Sequence, residues 1–97
     1  MAKKKIETMV LVRCYGAGVH FGRLVSQDAK TVVLADARRI WRWRGANTLH
    51  ELSLRGADRE WTRISEAVAS ITLSDAIEVI VCTEVASADL SVSRWPR

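Results

Sequence analysis

Short apolar and β-branched runs, separated by glycine and polar turns, recur along the first third of the chain. Met9–Tyr15, His20–Ser26 and Thr31–Ala35 are three such runs. Their composition and alternation are typical of strands, and the short connections between them predict a meander. Gly16-Ala17-Gly18 forms the first turn, because glycine readily adopts positive φ angles, and Gln27–Lys30 forms the second.

The next segment, Asp36–Trp43, also fits a strand, after which Gly45 interrupts the pattern. A period of two residues would place Trp41 and Trp43 on one face of that strand. The neighbouring arginines would then lie on the opposite face. The pattern leaves open whether this segment is a strand.

A capping box predicts a short helix at about residues 48–55. Thr48 fits the N-cap, and Glu51 fits the position whose carboxylate returns to the amide of the N-cap residue. Leu49 and Leu52 give the helix an apolar side, and Gly56 is placed to end it.

Three later apolar runs predict further strands, at Trp61–Ile64, Ala67–Leu73 and Ala76–Thr83. The last run is almost continuously apolar, which is typical of a central strand buried on both faces. Val85–Val92 fits either a short helix or an irregular tail.

These elements predict a mainly β (α+β) fold: a small, strongly bent β-barrel of five or six strands with one short inserted helix. A chain of 97 residues has the length of one domain. We expect residues 1–97 to form it, with a basic flexible start at 1–6 and a tail at 93–97. The apolar runs are too short to span a bilayer, and Lys3–Lys5 precedes no signal-peptide core, so we expect a cytoplasmic protein without membrane contact.

Charge is distributed unevenly between the two halves. Residues 1–50 carry ten lysines and arginines against three acidic residues, a net +7, whereas residues 51–97 carry five against eight, a net −3. A basic half favours an anionic partner such as phosphate or nucleic acid. It also suits the acidic half of a second copy. Together with four tryptophans in so short a chain, this predicts a homo-oligomer.

The cysteines and histidines carry no recognisable catalytic or metal-binding spacing. Cys14 and Cys82 lie inside apolar runs, which indicates buried free thiols. His20 and His50 have no partner placed by a motif, and a zinc site would have to gather all four residues without the usual short spacings. Gly16–Gly22 contains a Gly-x-Gly, but it lies between strands. We therefore expect no enzyme activity, no metal and no cofactor.

One basic and aromatic run is the candidate ligand-binding site. Its members are Arg38, Arg39, Trp41, Arg42, Trp43 and Arg44. Guanidinium groups bind phosphates through paired hydrogen bonds, and an indole can stack on a base. The alternative is that the tryptophans fill the core or an interface while the arginines are solvated or paired with acids.

Part of the chain resembles the first motif of Sm-like proteins. The likeness rests on Gly18, on Gly22-Arg23-Leu24, on the turn residue Asp28 and on Leu34-Ala35-Asp36-Ala37. It implies a strongly bent small barrel and a tendency to form rings. The second motif of that family, an Arg-Gly pair in a late strand, is absent from Ile77–Thr83, so no RNA site is implied.

A longer segment, Leu34–Leu52, is similar to short uncharacterised phage and prophage proteins. These have an R-W-x-G-A-x-T-L-x-E-L core, here Arg42–Leu52, followed by a late strand like Ser74–Ile80. The resemblance implies a phage origin and action in the cytoplasm of a bacterial host. It offers no catalytic residues.

Three functions follow from these observations. The first is sequestration, without catalysis, of an anionic small ligand such as a nucleotide or a cyclic-nucleotide signal used in bacterial defence. The second is a nucleic-acid-binding accessory module. The third is a structural or inhibitory protein partner. The basic sequence supports the first two, the acidic second half argues against a continuous nucleic-acid track, and the phage context favours the first.

Overall fold

The computed structural model describes residues 8–58 and 60–93 and contains six strands and two helices. The strands are β1 (Met9–Cys14), β2 (Gly18–Asp28), β3 (Thr31–Arg42), β4 (Arg63–Ile64), β5 (Val68–Leu73) and β6 (Ala76–Val81); the helices are α1 (Leu49–Arg55) and α2 (Glu84–Leu90). The prediction of a mainly β fold is confirmed. The predicted flexible start at 1–6 and most of the predicted tail lie outside the described residues.

The three predicted meander strands are confirmed, and β3 is longer than the sequence indicated. β1 pairs antiparallel with β2, and β2 pairs antiparallel with β3. Thr31–Ala35, predicted as a strand, and the following Arg-Trp segment, which the sequence left open, form one strand of 12 residues. β3 is therefore long enough to pair with β5 along its first half and with β4 at its end.

A sharp irregularity between β2 and β3 makes this continuity possible. Phe21 pairs with Arg38 and Arg23 with Ala35, so β3 contains one extra residue there. Asp36 adopts a positive φ of 51°, a conformation that aspartate tolerates better than most residues. Opposite it, Gly22 has no side chain, and a Cβ at Gly22 would lie only 3.1 Å from the backbone of β3. The two strands therefore bend where glycine permits close contact.

The six strands form one antiparallel sheet in the order β4-β3-β2-β1-β6, with β5 also paired to β3. Only Ser74 and Asp75 connect β5, at one end of the sheet, to β6, at the other. So short a link requires the sheet to curve strongly. No ladder joins β5 to β6 within the described residues, however, so the sheet is not closed, and the predicted barrel is not found.

Buried residues form two clusters. The strand-side core consists of Val10, Val12, Cys14, Val32, Leu34, Ala37, Leu73 and Ala76. The helix-side core consists of Leu11, Val19, Phe21, Ile40, Leu49, Leu52, Ile64 and Leu90, so it receives side chains from both helices. β1 contributes to both cores because successive side chains point to opposite faces of a strand.

The predicted capping helix is confirmed, with one difference. The Thr48 hydroxyl accepts a hydrogen bond from the Glu51 amide at 3.3 Å, and Gly56, with φ of 80°, ends the helix. The Glu51 carboxylate accepts from the amide of Asn47 at 3.0 Å rather than from Thr48. The undecided segment after β6 contains α2, whose N-cap is Thr83.

The prediction that Ala76–Thr83 is a central strand is wrong. Among the residues that the structure describes, β6 pairs with β1 alone and lies at an edge of the sheet. Val79 packs against the strand-side core, whereas Ile77 and Val81 are more than half exposed. None of the helices in the described residues is long and apolar enough to cross a membrane.

Candidate functional site

The six predicted site residues lie along the second half of β3 and in the loop that follows it, but they do not form one site. Ile40 pairs with Ile64 and Arg42 with Arg63, so Trp41 is an extra residue that bulges out of the ladder. Trp41 is 54% exposed, whereas Trp43 packs against the helix-side core. The bulge divides the run into two groups of arginines with different surroundings.

The second group, Arg42 and Arg44, contacts the indole of Trp61. The two guanidinium carbons lie 5.4 and 5.2 Å from the ring centroid, within the range of cation–π contacts. The Asp58 carboxylate accepts a hydrogen bond from the amide of Trp61 at 3.1 Å and so fixes the turn that carries the indole. Trp61 is 41% exposed. This group, which we call the Trp61 cluster, forms a basic and aromatic surface.

The first group, Arg38 and Arg39, lies at a pocket of about 300 Å³. The pocket is lined by His20, Ala37, Arg38, Arg39, Ser65, Val68 and Ile71. Ala37 and Ile71 also belong to or pack against the strand-side core, so the pocket is located at one end of that core. Its walls are mainly apolar, as in most small-molecule sites. Its volume lies at the lower end of the range for such sites. We call it the His20 pocket.

Ser65 forms hydrogen bonds with the backbone of Arg39 and with the guanidinium of Arg38. The amide of Arg39 donates to the Ser65 hydroxyl at 2.8 Å, and the amide of Ser65 donates to the Arg39 carbonyl at 2.9 Å. One guanidinium nitrogen of Arg38 donates to the Ser65 carbonyl at 3.1 Å and also to the hydroxyl of Ser93. Within the described residues, the Arg39 guanidinium has neither an acidic partner nor a hydrogen bond. Arg39 is therefore available to an anion.

His20 lines the pocket and is almost completely buried, with 1% of its surface exposed. Its Nε2 lies 2.9 Å from the Ala17 carbonyl, so this nitrogen carries the proton and donates. Burial lowers the pKa of His20 below its ordinary value, and the charge of Arg39 lowers the pKa further, against the opposing effect of the Ala17 bond. The ring is consequently neutral at pH 7, with Nδ1 as a hydrogen-bond acceptor.

Residues 7–90 match a family described as a domain of unknown function, DUF6948. The chain belongs to this family. The match includes every strand, both helices and all six predicted site residues. No curated protein and no solved structure matches the DUF6948 chain.

The cysteines of the DUF6948 domain do not have the properties of nucleophiles. Both are free; burial raises the pKa of Cys82 to about 12 and also raises the pKa of Cys14. Thiols of raised pKa and a histidine of lowered pKa have the opposite properties to a thiolate–imidazolium pair. The described residues also contain no group of three or more His, Cys, Asp or Glu side chains that could hold a metal ion.

A second pocket, of about 360 Å³, lies beside Trp43 and His50. Arg13 and Glu78 also line it, and their charged groups approach to 4.0 Å. The carboxylate partly neutralises the arginine and would repel an anion. We therefore regard the His20 pocket as the better candidate for an anionic ligand.

Sequence reasoning missed the residues that complete both groups. Trp61 is far from Arg42 in the sequence, and Val68 and Ile71 reach the His20 pocket only because β5 pairs with β3. His20 carried one usable signal, since it interrupts an apolar strand. Its function as a pocket residue depends on the pairing of His20 with Arg39 across β2 and β3, which no local pattern encodes.

Proposed function

We propose that this DUF6948 protein binds a small anionic ligand of the nucleotide class in the His20 pocket and does not transform it. One observation carries the proposal: an apolar pocket has an arginine at its edge, Arg39, whose guanidinium is unpaired within the described residues. A nucleotide combines the same two features, an aromatic base and a phosphate.

The charge of Arg39 supports the anionic half of the proposal. A guanidinium can donate two parallel hydrogen bonds to a phosphate, and the charge strengthens both. Arg38 is partly occupied by Ser65 and Ser93, which orients it while other N–H groups of its fork stay available.

Val68, Ile71 and Ala37 support the apolar half. These side chains provide a surface for a base or a sugar face, and binding of a ligand would remove Val68, now half exposed, from water. None of the described residues that line this pocket is acidic. An anion would therefore meet no repulsion from the pocket itself.

Sequestration is the action that this chemistry best supports. The pKa directions of His20 and the cysteines provide no activated nucleophile, and a binding protein needs none. The resemblance to phage and prophage proteins suggests the context: a phage protein that captures a nucleotide or cyclic-nucleotide signal of bacterial defence. Action in the cytoplasm of the host is part of the same proposal.

Calorimetric titration with linear and cyclic mono- and dinucleotides tests the proposal. Loss of a charge-assisted bidentate contact removes about 1.5–3 kcal/mol, so Arg39→Ala should weaken binding about ten- to a hundredfold while the fold persists. Arg55→Ala is the control, because Arg55 is exposed on α1, pairs with Glu51 at 3.5 Å and does not line the His20 pocket. If no nucleotide binds, or if both variants bind like the parent protein, the proposal is wrong.

The Trp61 cluster supports a second candidate function, binding of single-stranded nucleic acid. Arginines around a half-exposed indole resemble the mixture of phosphate and stacking contacts that such binding uses. In that case Trp61→Ala and Arg42→Ala, rather than Arg39→Ala, should weaken binding of an oligonucleotide. Affinity should then also fall steeply with salt, in proportion to the phosphates neutralised, whereas a pocket-bound nucleotide should show a shallow slope.

A further inference from the structure

We infer that the His20 pocket selects ligands that present an O–H or N–H donor to Nδ1 of His20. This inference rests on the proposed function and specifies what the ligand must carry besides its anionic group. It depends on geometry: His20 is almost fully buried, lines the pocket, and uses Nε2 to donate to Ala17.

The Ala17 contact fixes the chemistry of the other ring nitrogen. A backbone carbonyl only accepts hydrogen bonds, so Nε2 must carry a proton, and a neutral ring then leaves Nδ1 without one. Within residues 8–58 and 60–93, Nδ1 has no hydrogen-bond partner. A buried acceptor without a partner is costly, and a ligand donor would relieve that cost.

Burial, with a smaller contribution from the charge of Arg39, keeps the ring neutral. Arg39 is paired with His20 across β2 and β3 and bears a positive charge on the same side of the sheet. Arg38 adds a second cation at the pocket, and Cys14 of β1, on the same side of the sheet, carries a protonated thiol because burial raises its pKa. Within the described part of the chain, the pocket lining includes no acidic side chain that could stabilise an imidazolium. The arginines therefore bind the anion, and Nδ1 of the neutral His20 ring accepts a hydrogen bond from a donor on the ligand.

The direction of the pH dependence separates this assignment from a histidine that binds the anion itself. A ligand donor bonds only to the neutral ring, so binding lowers the pKa of His20 further, and affinity falls as the pH drops through the pKa of the free protein. An imidazolium–phosphate contact would have the opposite effect, and affinity would rise on acidification.

The test uses adenosine and guanosine 3′,5′-cyclic monophosphates, whose phosphodiesters do not titrate between pH 5 and 8, together with analogues that each lack one donor. These analogues are the 2′-deoxy compounds and, for the adenosine nucleotide, purine riboside 3′,5′-cyclic monophosphate, which lacks the 6-amino group. One of these analogues lacks the donor that contacts His20. It should bind the parent protein about tenfold more weakly than the complete nucleotide, which is the scale of one hydrogen bond to a buried group.

Two substitutions of His20 make the test specific. His20→Gln keeps an amide that can donate to Ala17 but places no acceptor at the Nδ1 position, so it should bind the parent nucleotide and its analogue equally. His20→Asn keeps an acceptor near Nδ1 and should retain the discrimination. Circular dichroism and melting temperature check that both variants fold.

The outcomes distinguish the inference from the proposed function. Discrimination and acid weakening that are present in the parent protein and lost in His20→Gln would support the inference. Nucleotide binding that depends on Arg39 but tolerates every donor deletion, or that strengthens on acidification, would overturn the inference and leave the proposed function standing. Absence of binding by these cyclic monophosphates would overturn the inference, and absence of binding by the whole panel of linear and cyclic mono- and dinucleotides would overturn the proposed function as well.

Discussion

Replacement of Gly22 by alanine should destabilise the protein strongly for so small a change. The added Cβ would lie 3.1 Å from the Ala35 carbonyl oxygen, 3.1 Å from the Ala37 Cα and 3.2 Å from the Leu34 Cβ. The first two atoms are backbone, so β2 and β3 must separate at their bend. Overpacking of this kind costs about 1–3 kcal/mol. For a domain near 100 residues, that corresponds to a melting temperature lower by roughly 5–20 °C.

Gly16→Ala is the matched control for this experiment. Gly16 lies in the turn between β1 and β2, and a Cβ there would have no atom within 4 Å. Its backbone does not require a positive φ, so alanine should leave stability unchanged or raise it by a few tenths of a kcal/mol. Thermal denaturation of both variants, followed by circular dichroism, measures the difference. If Gly22→Ala melts within about 2 °C of the parent protein, the close contact at the bend is not a constraint, and our account of the bend is wrong.

Three further predictions concern the edge strand, the buried histidine and assembly. Val79→Asp should lower the free energy of unfolding by about 2 kcal/mol because Val79 packs against the strand-side core. Val81→Asp, at a position 65% exposed, should change the free energy of unfolding by less than about 0.5 kcal/mol. Equal urea midpoints for the two variants would contradict the register of β6. Burial lowers the pKa of His20 in the folded state, so the unfolded chain is protonated first, and stability should fall as the pH drops below about 6.5. In His20→Gln this part of the pH profile, measured by urea denaturation, should be flatter, and an unchanged profile would refute the assignment. Sedimentation equilibrium at micromolar concentration should give a mass well above the 10.9 kDa of one chain, since Trp41, Trp61 and Val81 remain exposed, and a monomer would remove the oligomer prediction.

The elements that could be predicted from the sequence are those whose signals are local. Alternating apolar residues gave β1 and β2, and the spacing of Thr48, Glu51 and Gly56 gave α1 with its correct end. In each case the interaction that stabilises the element lies within a few residues along the chain. The Glu51 carboxylate accepts from Asn47 instead of the predicted Thr48 amide. Asn47 precedes Thr48 in the sequence and offers both a backbone amide and a side-chain donor.

The features that could not be predicted depend on pairing between distant strands. β6 is as apolar as a central strand, and only the order of the sheet places it at an edge. The candidate site was divided for the same reason. A bulge at Trp41 directs Arg42 toward Trp61, while the pairing of β2 with β3 places Arg39 beside His20. The arginines and tryptophans of β3 indicated a basic segment, but their sequence carried no information about Trp61 or His20 as neighbours.

The position of β1 between the two cores has a consequence for how the protein unfolds. Val10 and Val12 belong to the strand-side core, and Leu11 between them belongs to the helix-side core. Detaching β1 therefore removes a wall from both cores at once. We therefore expect a single cooperative transition, in which the β1 amides are among the slowest to exchange with solvent. A substitution under α1 would lower the stability of the His20 pocket, on the far side of the sheet, by as much as it lowers that of its own side.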